Sequence, residues 1–149
     1  MKALTRSIEI AVDGIPAPRW RKRLSRFCDA ALIAAGFTEW EISLLLCGDE
    51  RMTSLNARYR GIHRPTDVLS FPRDHEGTGV AGDIAISLDT LRRNAAAFSV
   101  SEEEELKRLT VHGILHLAGM DHGRDKGRKM LALQEKLFEL LKAERIFRE

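Results

Sequence analysis

A chain of 149 residues with 24 Lys and Arg against 22 Asp and Glu, net charge +2, can bury one core but carries no bulk charge that would by itself select nucleic acid or an anionic surface. No apolar run approaches the ~20 residues needed to span a bilayer. The start, Met1-Lys-Ala-Leu-Thr-Arg-Ser-Ile-Glu, lacks the apolar core of a signal peptide. The expectation is therefore a single cytoplasmic domain over residues 1–149 with no membrane partner. Cys28 and Cys47 stand far apart, in no metal or redox spacing, and read as buried thiols in a reducing compartment.

Residues 4–12 alternate Leu4, Ile8, Ile10 and Val12 with polar residues, predicting a half-buried strand. Gly14-Ile-Pro16-Ala-Pro18 is a turn and helix entry. From Arg19, Trp20, Leu24, Phe27, Cys28, Ala31, Leu32 and Ala35 recur at helical spacing up to Gly36. The opposite face carries Arg19, Arg21, Lys22, Arg23 and Arg26. It reads first as a solvated face, and only secondarily as a stripe for phosphates. Glu39 to Cys47, ending in Ile42, Leu44, Leu45 and Leu46, fits a buried strand.

Asp49 is placed to cap a helix through Met52, Leu55 and Tyr59. Arg60 to Asp67 then forms a polar loop with a proline stop. Val68 to Phe71 is a short strand closed by Pro72, Arg73 to Gly79 a turn, and Gly82 to Ser87 the next strand. Phe71 to Gly82 is thus a hairpin connection or a long loop between neighbouring strands. Ser87 or Asp89 starts a helix to about Phe98. Ser101-Glu-Glu-Glu104 matches a capping box, and Glu102 to Glu105 read as carboxylates gathered at the positive end of the next helix. That helix buries Leu106, Leu109, Gly113, Ile114 and Leu117. A last helix from about Asp125 lines Met130, Leu133, Leu137, Leu140 and Leu141 along one stripe.

The fourth helix also carries the most specific pattern, His112-Gly-Ile-Leu-His116-Leu-Ala-Gly119-Met-Asp121-His122. His112 and His116, four apart, share one helix face. Gly119 stands where a helix commonly ends on a left-handed residue, so the chain turns back and brings His122 towards the pair. A histidine pair alone would be ordinary core or surface side chains. The third histidine beyond the glycine stop, with only His63 and His75 elsewhere, favours a metal tripod. Three neutral imidazoles leave the fourth tetrahedral position open, as catalytic sites require. The spacing is that of the metzincin peptidases, but those place a Glu general base directly after the first histidine. Here that position is Gly113, which cannot accept a proton. What remains is water activation or Lewis-acid polarisation of a phosphoryl oxygen, with cations nearby for the developing charge. Arg60 and Arg64, beside Asp67, and Arg124, Arg128 and Lys129, after His122, supply such cations. Each alone reads as solvated charge.

Taken in order, Leu55-Asn56-x-x-Tyr59-Arg60, Pro65-Thr66-Asp67-Val68-Leu69-Ser70-Phe71-Pro72, Gly82-Asp83-Ile84-x-Ile86 and the His112 to His122 segment resemble the YbeY family of bacterial ribosomal RNA maturation factors. The resemblance covers nearly the whole chain. It implies an α+β fold, a small mixed four-stranded sheet flanked by about five helices, metzincin-like in topology, with the metal site at a helix C-terminus. It implies a zinc-dependent, single-strand-specific endoribonuclease acting in small-subunit ribosomal RNA 3′-end maturation and ribosome quality control. The partners implied are single-stranded and ribosomal RNA and the ribosome or its small-subunit proteins.

One Zn2+ per chain would be held by His112, His116 and His122, although three imidazoles suit other divalent metals as well. Arg60 carries over as the functionally important arginine facing the site, catalytic with His112 and His116. Asp67, Asp83 or Asp121 would hydrogen-bond the ligand imidazoles from behind; capping a turn or pairing with an arginine ranks level with that role for Asp67 and Asp83. The competing readings are a non-enzymatic ribosome-assembly factor whose metal only holds the fold, and a metallohydrolase of another substrate. Gly113 argues against the peptidase form of the latter.

Overall fold

The computed structural model describes residues 5–75, 77, 79–120 and 124–147, with residues 124–126 described for the backbone alone. The elements run β1 (Arg6–Asp13), α1 (Arg21–Ala34), β2 (Glu39–Cys47), α2 (Asp49–Arg60), β3 (Val68–Arg73), β4 (Gly79–Ser87), α3 (Leu88–Phe98), α4 (Glu102–Leu117) and α5 (Arg124–Leu140). The fold is α+β, with the strands in one mixed sheet of order β1-β2-β4-β3. β1 and β2, and β2 and β4, pair parallel, whereas β3 and β4 form an antiparallel hairpin.

Period-2 alternation decides which face each helix covers. Ile8, Ile10 and Val12 of β1 stand opposite Ile42, Leu44 and Leu46 of β2, and the latter two stand opposite Ile84 and Ile86 of β4. These side chains pack with Leu24, Phe27, Leu32, Leu106, Leu109 and Ile114 in the main core. The alternate residues Leu45, Leu69, Phe71 and Ala85 pack instead with Met52 and Leu55 of α2 in a separate cluster. So α1 and α4 lie on one face of the sheet and α2 on the other.

Several boundaries differ from the sequence reading. Pro72 does not close β3; the strand runs on to Arg73, with Pro72 opposite Gly82. β3 is an edge strand, where a residue without an N–H is tolerated. β4 begins at Gly79 rather than Gly82. Gly82 has φ 151°, and a Cβ there would stand 2.5 Å from the Phe71 carbonyl oxygen, so this crossing point excludes side chains. Asp49 is not the cap of α2: Gly48 holds that position, and the Asp49 amide donates to the Asp89 carboxylate at 2.8 Å. Leu140 is not on the buried stripe of the last helix but is 58% exposed, whereas Ile146, beyond that helix, is fully buried. Arg23 of the α1 stripe is not simply solvated, since it donates to the Ile146 and Phe147 carbonyls. No described helix is long and apolar enough to cross a membrane.

Candidate active site

The helix that carries the histidines is built at both ends by its own sequence. Ser101 caps it, accepting from the Glu104 amide at 3.0 Å. At the other end Gly119, at φ 89°, donates to the His116 carbonyl while Met120 donates to the Leu115 carbonyl, both at 3.0 Å. That is the Schellman arrangement, and only the left-handed residue makes it possible. Between these ends Leu106, Leu109, Ile114 and Leu117 are buried, which fixes the roll of the helix. His112 and His116 are left half-buried on the neighbouring face.

Their two Nε2 atoms converge to 3.0 Å, with ring centroids 4.5 Å apart and planes inclined by 67°. Two imidazoles sharing one tetrahedral zinc at about 2.1 Å would hold their nitrogens about 3.4 Å apart. A small opening of the pair would admit such an ion, so the donor set fits. His116 lies in the last turn of α4. His122 and Asp121, the remaining elements of the motif, lie outside the described residues. Among the described residues no group of three or more His, Cys, Asp or Glu side chains is arranged so that it could hold a metal ion.

Gly113 has a steric reason for its identity. A Cβ there would stand 3.0 Å from Cγ2 and 3.1 Å from Cδ1 of Ile84. Position 113 is where α4 meets β4, and Ser70 of β3 donates to the Gly113 carbonyl at 3.4 Å. A glutamate general base at this position would drive into the core side of the sheet.

Arg60 ends α2 and is exposed. The structure therefore brings His112 and His116 together but sets Arg60 on the helix that covers the opposite face. Gly61 closes α2 at φ 69°. The loop that follows is pinned twice: buried Asn56 donates to the Arg64 carbonyl at 2.9 Å, and Asp67 holds the far end. One Asp67 oxygen accepts from the Val68 amide at 2.8 Å; the other accepts from Asn94 at 3.1 Å and lies 3.7 Å from Arg108. Asp67 thus has the turn-capping and arginine-pairing role. Asp83 stands opposite Phe71 and next to Ile84, so alternation puts it on the α2 face, away from the histidine helix.

The sequence reading missed the role of Glu105. It stands in the first turn of α4 as expected, but it is also 1% exposed and held bidentately by Arg108 at 2.8 and 2.6 Å. The i, i+3 spacing was the available signal. Hydrogen bonds to Glu105, opposed by burial and aided by the charges of Glu105 and Asp67, push the Arg108 guanidinium above its usual range. Burial pushes the Cys28 thiol up to about 12 and the Cys47 thiol up to about 11, so both stay protonated and unreactive. A groove of about 930 Å³ near the start of α4 and along α5, lined by Phe98, Val100, Lys107 and Phe138 among others, contains none of Arg60, His112 and His116.

An α+β chain with two converging helical imidazoles is the class of protein these features define. The family described as Endoribonuclease YbeY matches residues 7–142, and the chain belongs to that family. An Endoribonuclease YbeY from Treponema denticola is 46% identical over 134 residues, 85% of this chain and 86% of the relative. One from Treponema pallidum is 42% identical over 138 residues, covering 87% and 86%, and one from Aquifex aeolicus 41% over 118 residues, covering 76% and 79%. The solution structure of TM1509 from Thermotoga maritima superposes with a TM-score of 0.64 at 26% identity, covering 96% of this chain and 97% of that one.

Proposed function

We propose that this protein is a zinc-dependent endoribonuclease that cuts single-stranded RNA, acting in maturation of the small-subunit ribosomal RNA 3′ end and in ribosome quality control, in the cytoplasm and in contact with the ribosome. Support comes from the convergence of the His112 and His116 Nε2 atoms at 3.0 Å in a chain of the YbeY family. His112 and His116, with His122, would hold one divalent ion. When bound, that ion supplies Lewis acidity towards a phosphoryl oxygen or a water molecule.

The chain's own residues do the rest. Neutral imidazoles leave the charge of the ion undiminished. Arg60, at the end of α2 that meets edge strand β3 through Tyr59 and Phe71, would stabilise from that edge the charge that develops on the phosphate. Asn56 and Asp67 hold the loop after Arg60 at a fixed place beside β3. Peptide hydrolysis is disfavoured, because Gly113 and Ile84 leave no room for the proteolytic base.

The test is cleavage of single-stranded RNA, double-stranded RNA and a peptide by wild type and His116→Ala, purified side by side. Cleavage of single-stranded RNA by wild type alone is expected. Equal cleavage by both preparations would mean that the activity is not this site's.

A further inference from the structure

Tyr59 is a tyrosine where a solvated helix end would ordinarily carry a small or charged residue. It is 56% exposed, and its hydroxyl makes no hydrogen bond among the described residues. One neighbour is Phe71 of β3, with ring centroids 4.9 Å apart and planes inclined by 57°. Phe71 is itself half-buried in the cluster under α2, so the Tyr59 ring is backed by a fixed aromatic side chain rather than swinging freely. The other neighbour is the Arg58 guanidinium, 5.4 Å from the ring centroid.

The local sequence is one-sided in charge, although Asp83 stands across from Phe71 on the neighbouring strand. From Arg58 to Thr66 the sequence holds Arg58, Arg60 and Arg64 and no acidic residue. None of these arginines forms an ion pair among the described residues. Elsewhere Arg51, Arg92, Arg93, Arg108 and Arg145 all pair with carboxylates. The loop is nonetheless held in place by Asn56 and Asp67, so its charges are presented on a fixed backbone.

An exposed ring with a second ring against it, a guanidinium over it that an incoming base would displace or stack beside, and arginines after it with no ion pair among the described residues has the parts of a single-strand nucleic-acid platform. Aromatic faces take up unstacked bases, and arginines take the flanking phosphates. We infer that Tyr59 is a base-stacking residue, with Arg58 and Arg64 as phosphate contacts, for one unpaired nucleotide of the RNA substrate. The inference rests on the RNA reading above and adds to it a reason for single-strand preference: a base within a duplex cannot offer its face to Tyr59.

The test is fluorescence anisotropy with a labelled single-stranded ribo-oligonucleotide and an abasic strand of the same length and charge. Tyr59→Leu keeps apolar cover over Phe71 but removes the ring. It should weaken the base-bearing strand by about tenfold or more and leave the abasic strand unchanged. Tyr59→Phe and Tyr59→Trp should bind within about twofold of wild type, because they keep the stacking face. Arg58→Ala and Arg64→Ala should weaken both strands alike and each lower the salt dependence of binding by about one phosphate contact. The thermal midpoint of each variant is measured alongside.

Tyr59→Leu that binds the base-bearing strand as wild type does, or that loses both strands equally, overturns the platform while RNA binding by wild type stands. If wild type binds no single-stranded RNA, the RNA reading fails and the platform falls with it.

Discussion

Two sets of arginines on this protein are treated in opposite ways. Around α3 and α4 the guanidinium groups are tied down: Arg108 to buried Glu105 and to Asp67, Arg93 to Asp49 at 2.7 Å, Arg92 to Glu102 at 3.1 Å. Between Arg58 and Arg64 none is, among the described residues. A paired guanidinium has its field largely cancelled by its carboxylate and serves the fold. An unpaired one, on a pinned loop without acids, keeps its field for an external anion. The difference separates charges that serve the fold from charges that, on the proposal above, are left open to phosphate.

Substituting one arginine from each set gives the largest expected contrast. Arg60→Ala should lower the rate of RNA cleavage by about 100-fold or more with little change in thermal midpoint. Arg108→Ala should do the reverse. It leaves the Glu105 carboxylate buried without its counter-charge, which costs about 3 kcal/mol of stability, and it should leave the chemical step near normal at temperatures where the fold holds. Denaturant unfolding and cleavage assays on both variants check the pair. Loss of stability without loss of cleavage in Arg60→Ala would reverse the assignment.

A smaller effect is expected where the histidine helix meets the sheet. Gly113→Ala gains about 1 kcal/mol of helix propensity but pushes a methyl group to 3.0 Å from fully buried Ile84. Overpacking of that kind costs about 1–3 kcal/mol, so net destabilisation of about 1 kcal/mol is expected. Ile84→Val in the same chain should show favourable coupling in a double-mutant cycle, since it removes the second of the two close atoms. Additive losses would show that the contact is not the cause.

The smallest effect is on pH dependence. Burial raises the Asp49 carboxyl, but hydrogen bonds from Thr90 and Ser87 and the Arg93 guanidinium outweigh it and hold the group below its ordinary 3.8. A depressed folded-state value contributes stability that is present above the unfolded value and fades as pH falls through 3.8 and below. The stability difference between wild type and Asp49→Asn, about 1 kcal/mol at neutral pH, should therefore shrink on acidification below that point, as read by denaturant unfolding. A difference independent of pH would show that the carboxylate charge is not what the three donors recognise.

The elements were legible because they rest on local pattern: alternation in β1, the apolar run of β2, helical spacing in α1, α4 and α5, the Ser101 cap and the Gly119 stop. The histidine pair was legible for the same reason, since four residues along a helix fix a shared face. What the sequence did not give away was tertiary. Pro72 reads as a stop unless β3 is known to be an edge. Asp67 reads equally as a partner of histidine or of arginine until α3 and α4 are packed beside it. Glu105 looks like one of four dipole carboxylates until burial singles it out. Leu140 fits the stripe by spacing, yet on the last turn of α5 it is exposed while Leu141 and Ile146 beyond it are buried.

The convergence of His112 and His116 is tested most directly by metal content. Elemental analysis of wild type and His116→Ala, purified in parallel without added chelator, should find about one zinc ion per chain in wild type and a large loss in the variant. Equal metal content in the two proteins, with both still folded, would contradict the assignment of these imidazoles as ligands.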